Sequence, residues 1–209
     1  MIRALVCDFG GVLTSPIEEG FHAYEKASGV TLEQLGMAMA RAMEEHGEHP
    51  LAALERGEIS EEEFGSRLAA QLDSGFDAAR LRDLYFERLQ PNRPMIDFVA
   101  ELRERGLRTA LCTNNVREWE PRWRSMLPEL DEVFEVIVDS GFVGTRKPER
   151  RIYELTLERL GDGLRFEDCL FVDDLEHNCE AARELGMSAV RFQDAEQAIS
   201  EIKGLLDVP

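Results

Sequence analysis

Short apolar runs alternate with amphipathic stretches through most of the chain. Runs of strand length occur at 2–7, 107–112, 134–138, 169–172 and 188–192. Stretches with apolar residues at helical spacing lie between them, over 94–105, 117–127, 148–160, 174–185 and 194–206. Pro94 and Pro148 suit first helical turns, and Gly106, Gly161 and Gly186 suit helix ends. This alternation predicts an α/β protein with a Rossmann-like parallel sheet core and right-handed crossovers.

The pattern differs over residues 16–90, which contain several helical stretches and no convincing strand. Thr31-Leu-Glu-Gln34 and Ser60-Glu-Glu-Glu63 predict capping boxes, and Asp77 is a candidate cap of another helix. The sequence therefore predicts two units. Residues 1–15 and 91–209 form the core, and residues 16–90 form an inserted helical cap.

Charge and cysteine content narrow the classes of partner. The 209 residues include 24 Lys and Arg against 42 Asp and Glu, a net charge of −18. Nucleic acids and anionic membranes require a basic face, so neither is expected as a partner. A small phosphorylated substrate remains possible because a local cation can override a distant negative field. The four cysteines show no metal-binding spacing, and no apolar run approaches membrane-spanning length, so we expect reduced thiols and a cytoplasmic protein.

Polar residues follow four of the predicted strands: Asp8, Thr113-Asn114, Lys147 and the pair Asp173-Asp174. Each has an ordinary explanation when taken alone, as a turn, a helix cap or a solvated loop residue. Because the carboxyl ends of parallel strands open on one edge of the sheet, we expect all of them to lie together.

Such a cluster would combine three carboxylates with one ammonium group, and a divalent cation would neutralise it. Oxygen ligands without His or Cys suit Mg²⁺, which also retains waters and substrate phosphate. The Thr113 hydroxyl and the amides near Asn114 are candidate phosphate ligands. Asp8 is the candidate nucleophile, with Lys147 and the metal stabilising the transferring group.

This ordered set of motifs resembles the haloacid dehalogenase superfamily of hydrolases, and within it the phosphatase domains of soluble epoxide hydrolases and bacterial sugar-phosphate phosphatases. The motifs are Asp8-Phe-Gly-Gly-Val-Leu13, Leu111-Cys-Thr-Asn114, Arg146-Lys-Pro148 with Ile152-Tyr153, and Phe171-Val-Asp-Asp174. The resemblance implies a Mg²⁺-dependent phosphatase of a small phosphomonoester, a sugar phosphate among the candidates, that acts through an aspartyl-phosphate.

The resemblance also assigns residue roles. It implies that Asp8 is the nucleophile and a metal ligand, that Lys147 is catalytic and binds substrate, and that Thr113 and Asn114 bind phosphate. The remaining metal ligands would be the Gly10 carbonyl, Asp174, and Asp173 directly or through water. The 16–90 block would close over the substrate.

One position departs from the family pattern. Phosphatases of this type usually carry a second Asp two residues after the nucleophile as general acid and base, and this chain has Gly10 there. Proton transfer by a positioned side chain contributes roughly 10²–10⁴ in rate. We therefore expect a leaving group that needs little help, such as an aryl or anomeric sugar phosphate. Surrogate acids to consider are Glu18, His22 and Tyr24.

Two other functions fit parts of the same sequence. A 2-haloacid dehalogenase also lacks the second Asp, but a metal-free site has no use for the Asp173-Asp174 pair. A non-catalytic phosphometabolite-binding protein would retain the ligands and lack turnover.

Overall fold

The computed structural model describes residues 1–16, 18–73 and 75–206. Over these residues it contains one five-stranded sheet, with the strands in the order β3-β2-β1-β4-β5 and every neighbouring pair parallel. The strands are β1 (Ala4–Cys7), β2 (Arg108–Thr113), β3 (Val136–Asp139), β4 (Cys169–Asp173) and β5 (Ser188–Arg191). The predicted α/β class and Rossmann-like parallel sheet are confirmed.

Twelve α-helices flank or interrupt this sheet within the same described ranges. They are α1 (Glu18–Ser28), α2 (Leu32–His46), α3 (Pro50–Glu55), α4 (Glu61–Ala69), α5 (Ala78–Arg88), α6 (Arg93–Glu104), α7 (Glu120–Met126), α8 (Leu130–Val133), α9 (Ser140–Val143), α10 (Arg150–Leu160), α11 (Glu176–Glu184) and α12 (Ala195–Leu206). Helices α1 to α5 all fall between β1 and β2, and we call residues 18–88 the inserted block.

The inserted block has a hydrophobic cluster of its own, built around buried residues that include Tyr24, Leu54 and Leu68. Three of its helices begin where side chains satisfy free backbone donors. Thr31 and Gln34 form a complete capping box at α2, Ser60 accepts from the Glu63 amide at α4, and Asp77 accepts from the Arg80 amide at α5. The predicted capping box at Thr31 and the predicted cap at Asp77 are confirmed, whereas at Ser60 only the hydroxyl half of the predicted box is formed.

The sheet is covered on both faces, as the continuous apolar runs predict. In β1, Leu5 and Cys7 join one hydrophobic cluster, while Ala4 and Val6 join the cluster on the opposite face. All four cysteines are buried and free. Among the residues that the structure describes, no helix is long and apolar enough to cross a membrane.

Three of the differences from the predicted element boundaries have a clear local cause. Pro148 lies in a turn, and α10 begins at Arg150 after Glu149, whose backbone is extended. The predicted helix over 117–127 divides into a 3₁₀ turn (Arg117–Trp119) and α7, which places Pro121 in its first turn, where no donor is needed. The strand predicted from residue 134 begins at Val136 because Phe134 caps the preceding helix α8, and its amide donates to the Leu130 carbonyl.

Candidate active site at the carboxyl edge of the sheet

The buried ammonium of Lys147 joins carboxylates from two neighbouring strands. Asp8 directly follows β1, Asp173 ends β4, and these two strands are paired. Lys147 Nζ lies 2.6 Å from Asp8 Oδ1 and 2.6 Å from Asp173 Oδ2. The Lys147 side chain is 1% exposed, so water screens these contacts very little. Asp8, which precedes Lys147 by 139 positions and Asp173 by 165, thus meets both residues at one edge of the sheet, where the strand-end pattern predicted them.

Asp173 is fixed by more than the ion pair. Its Oδ1 atom accepts hydrogen bonds from the Leu175 amide at 2.9 Å and from Asn178 Nδ2 at 3.0 Å, while Oδ2 contacts Lys147. Both oxygens are therefore engaged, and the side chain is fully buried. Asp173 thereby holds the Lys147 ammonium group next to Asp8.

Asn114 fixes the backbone of the lysine. The Lys147 amide donates to Asn114 Oδ1 at 2.8 Å, and Asn114 Nδ2 donates to the Lys147 carbonyl at 3.0 Å. The neighbouring Thr113, at the end of β2, is buried, and its hydroxyl lies 3.5 Å from the Asn114 carbonyl oxygen. Asn114, which directly follows β2, therefore supports the backbone of the residue that carries the ammonium, and Thr113 precedes it at the end of the strand.

The third carboxylate, Asp174, lies against the glycine turn after Asp8. Gly11 has φ +76, and a Cβ atom added there would lie 2.6 Å from Asp174 Oδ2. Only glycine fits both this backbone conformation and this close approach. One carboxylate oxygen from each of Asp8, Asp173 and Asp174 lies within 4.8 Å of the others. Gly10, which precedes this turn, is partly buried.

Burial and crowding change the protonation of these groups. Burial raises the pKa of Asp8 to about 7, with the charge of Asp173 adding to the effect and that of Lys147 opposing it. Burial and the charge of Asp173 raise the pKa of Asp174 to about 6. For Lys147, burial acts to lower the pKa, but the charges of Asp173 and Asp8 outweigh it, so the pKa lies well above its ordinary value. Lys147 therefore keeps its positive charge, and this one charge does not offset the negative charge of the carboxylates around it.

The inserted block adds two polar residues that sequence reasoning missed. Glu55, at the end of α3, contacts Arg146 Nε at 2.6 Å, directly beside Lys147 in the chain. Tyr85, on α5, is partly buried, and the charges of Asp8, Asp174 and Glu55 belong to its surroundings. The periodicity of α5 places Tyr85 on an inner face, but nothing in the sequence shows that the charges of Asp8 and Asp174 act on it.

The three surrogate acids suggested by the sequence occupy different surroundings. Tyr24 lies in the core of the inserted block, where its hydroxyl accepts from the Asp77 amide at 3.1 Å. His22 is exposed beside Glu25. Glu18 begins α1 at the surface, on the side of the block that faces Asp174. Of these, Glu18 alone is close enough for its charge to act on the site.

The chain belongs to the haloacid dehalogenase-like hydrolases. The family described as "Hydrolase: haloacid dehalogenase-like hydrolase" matches residues 2–186. Phosphatase MT3486 of Mycobacterium tuberculosis is 31% identical over 199 residues, which cover 90% of this chain and 86% of that protein. The protein is therefore a hydrolase of this family, and the resemblance seen in the motifs is confirmed.

Longer proteins contain a similar segment. Mouse acyl-CoA dehydrogenase family member 10 is 28% identical over 99% of this chain, which spans 19% of that protein. Mouse bifunctional epoxide hydrolase 2 is 25% identical over 97% of this chain, which spans 38% of that protein. The chain thus spans well under half the length of these two relatives.

Solved structures have the same fold. A HAD-like hydrolase from Porphyromonas gingivalis superposes with a TM-score of 0.76 at 24% identity, with both chains covered completely. A HAD family enzyme from Bacteroides thetaiotaomicron, in complex with magnesium and inorganic phosphate, gives 0.69 at 22% identity over 93% of this chain and 97% of that chain. At these identities the likeness concerns the fold.

Proposed function

We propose that the protein is a Mg²⁺-dependent phosphatase that hydrolyses a small phosphomonoester through an aspartyl-phosphate on Asp8. The observation that carries the proposal is the buried Lys147 ammonium, 2.6 Å from both Asp8 and Asp173 at the carboxyl edge of the sheet. Phosphoryl transfer is catalysed mainly by positioning and by positive charge around the transferring group. This site supplies the cation beside a candidate nucleophile.

The carboxylates fit a magnesium ion. Asp8, Asp173 and Asp174 offer oxygen atoms within 4.8 Å of one another, and Mg²⁺ prefers oxygen ligands. Asp174 is the most accessible of the three side chains, while Asp173 already serves Lys147. We assign Asp8, Asp174, the Gly10 carbonyl and, directly or through water, Asp173 as the ligands. The metal would supply positive charge to the transferring phosphoryl group and would keep the nucleophile ionised.

The residues of the chain then perform two displacements. The Asp8 carboxylate forms a bond to phosphorus as the ester P–O bond breaks, which gives the aspartyl-phosphate and the free alcohol. Water then attacks the phosphorus, the bond to Asp8 breaks, and inorganic phosphate leaves. Lys147 stabilises the charge on the phosphoryl oxygens, and Thr113 and Asn114 hold them. Gly10 offers no side chain to protonate the leaving group, which favours aryl and anomeric sugar phosphates as substrates.

The inserted block is proposed to act as a cap over the substrate, with the boundary between cap and core at residues 16 and 90. The contact of Glu55 with Arg146, the neighbour of Lys147, and the charges of Asp8 and Asp174 acting on Tyr85 support a role of this block in selecting the leaving group. The four buried free cysteines suit the reducing cytoplasm that we predict as the location.

Release of inorganic phosphate from a panel of phosphorylated metabolites, with Mg²⁺ and with chelator, tests the proposal. Asp8→Asn is expected to abolish turnover, since an amide cannot form the covalent intermediate. Asp139→Asn is the matched control, because Asp139 is also a buried carboxylate at a strand end but instead accepts from the Gly141 amide. It should retain activity.

Other outcomes identify the competing functions. Turnover of 2-haloacids that persists in chelator would indicate a dehalogenase. Metal-dependent ligand binding without hydrolysis, unchanged in Asp8→Asn, would indicate a binding protein. Alkyl phosphates turned over as fast as aryl phosphates would contradict the proposed leaving-group preference.

A further inference from the structure

A cavity of about 480 Å³ opens beside the carboxylate cluster, and its volume lies within the range of roughly 300–1,000 Å³ that is typical of small-molecule sites. The cavity meets the cluster at Gly11 and Asp174, which both line it. Carboxylate oxygens of Asp174 and Asp8 lie within 4.8 Å of each other. A group bound in the cavity is therefore adjacent to the candidate nucleophile.

The walls of the cavity come from the two chain segments that join the inserted block to the core and from the loop after β5. The joining segments are bonded to each other, since the Ser15 amide donates to the Gln90 carbonyl at 2.7 Å. Gln193 and Asp194 contribute the wall from the loop after β5. The cavity thus lies where the block meets the core, next to the carboxyl edge of the sheet.

Two side-chain amides on these walls are available to a ligand. Gln90 and Gln193 line the cavity, and the hydrogen bonds that these residues make within the described part of the chain use their main-chain atoms. A side-chain amide both donates and accepts hydrogen bonds, and a hydroxyl group does the same. These amides therefore suit a ligand with several hydroxyl groups.

The cavity also carries negative charge without a cation to offset it. Glu18 and Asp194 line it, and neither forms an ion pair within the described residues. Of the residues that the structure describes along its walls, none is Lys, Arg or His. Arg191, which precedes the loop, donates to the Asp174 carbonyl at 3.4 Å and lies 3.9 Å from Glu176. A second phosphate or carboxylate on the ligand would therefore meet two like charges.

We propose that this cavity holds the leaving group of the substrate, and that the leaving group is an uncharged polyhydroxyl group such as a sugar. The inference rests on the proposed phosphatase function and narrows its substrate class to monoesters without a second anionic group. The Gln90 and Gln193 amides bind the hydroxyls, while Glu18 and Asp194 repel anionic leaving groups. Selectivity thus comes from an unfavourable charge contact as well as from favourable hydrogen bonds.

The test compares two anomeric esters, glucose 1-phosphate and glucuronic acid 1-phosphate, which differ only in a hydroxymethyl group against a carboxylate at C6. At low ionic strength, kcat/KM should be about tenfold or more higher for glucose 1-phosphate. Glu18→Gln removes one charge at nearly constant size and should lower this ratio roughly three- to tenfold, and Glu18→Lys should lower it further. Because each result is a ratio of two esters in one preparation, any loss of folded enzyme cancels.

Glu33→Gln is the matched control, since Glu33 is also an exposed Glu in the first turn of a block helix, α2, and does not line the cavity. It should leave the ratio unchanged.

Equal turnover of the two esters by the wild type, or a ratio that the Glu18 variants do not change, would overturn the inference while the phosphatase function stands. Hydrolysis of aryl phosphates with neither sugar ester accepted would do the same. A wild-type protein that releases no phosphate from any ester would instead overturn the proposed function, and this inference with it.

Discussion

Replacing Lys147 by Met gives the sharpest test of the charge arrangement, because it removes the ammonium and retains most of the side-chain length. Asp8 and Asp173 would then lie buried without the partner that each contacts at 2.6 Å. Breaking a buried ion pair by removing one partner costs about 3–5 kcal/mol. For a chain of this size that corresponds to a drop in melting temperature of roughly 6–20 °C. Phosphate release should also be lost.

The loss of stability caused by Lys147→Met should depend on pH. Without the ammonium, the pKa of Asp8 rises above the value of about 7 that burial already gives it. The folded variant then binds protons more tightly than the unfolded chain, so its stability falls as pH rises through the folded-state pKa. The loss of stability relative to wild type should be large at about pH 8 and smaller at about pH 5.5, where Asp8 takes up a proton in the folded state.

Urea denaturation of both proteins in chelator, at these two pH values, measures the effect. Lys26→Met provides the control, because Lys26 is exposed on α1 and its loss should change stability by less than about 0.5 kcal/mol. A loss for Lys147→Met below about 1 kcal/mol that is equal at both pH values would refute the reasoning, since it would mean that the two carboxylates do not depend on this ammonium.

Two further predictions concern the metal site. Gly11→Ala should lower stability by about 1–2 kcal/mol through its left-handed backbone and should also weaken the response to Mg²⁺. Gly29→Ala is the control, because Gly29 has a similar backbone conformation, φ +77, and a Cβ atom added there would meet no heavy atom of a non-neighbouring residue within 4 Å. Urea denaturation and Mg²⁺ titration of both variants therefore separate backbone strain from the contact with Asp174. Equal Mg²⁺ responses of the two variants would exclude a role for that contact. Because protons compete with the metal for Asp8 and Asp174, with pKa values of about 7 and 6, the apparent Mg²⁺ affinity should fall as pH drops below 7. Mg²⁺-dependent thermal stabilisation across this range checks it, and an affinity independent of pH would argue against these ligands.

The sequence predicts the fold correctly where local residue chemistry determines the structure. The apolar run before Asp8 is buried on both faces in β1, and Thr31 with Gln34 forms the capping box that the residue types predict. The meeting of Asp8, Lys147 and Asp173 was also predictable, because the carboxyl ends of parallel strands open on one edge of the sheet.

The contribution of the inserted block could not be read in the same way. Helical spacing identifies the inner face of α5, yet a Tyr on that face serves equally well as core, as Tyr24 does on α1. Tyr85 packs against Gly20 of α1 on one side, and its ring centroid lies 5.4 Å from that of Trp119 on the other. Whether an inner-face tyrosine lies within the block or at its boundary with the core depends on how the block packs on the sheet, and local sequence patterns do not determine that packing.

Residues at the end of α3 form ion pairs with core residues on both sides of Lys147 in the chain. Glu55 pairs with Arg146, and Arg56 pairs with Glu149 at 3.0 Å, so two opposite-charge contacts bracket Lys147 along the chain. A hinge movement that lifted the block would pull on the segment that delivers the ammonium. Under the proposed function, such an opening would move the Lys147 ammonium away from Asp8 as product departs, and Asp8 would then meet water without its cationic partner.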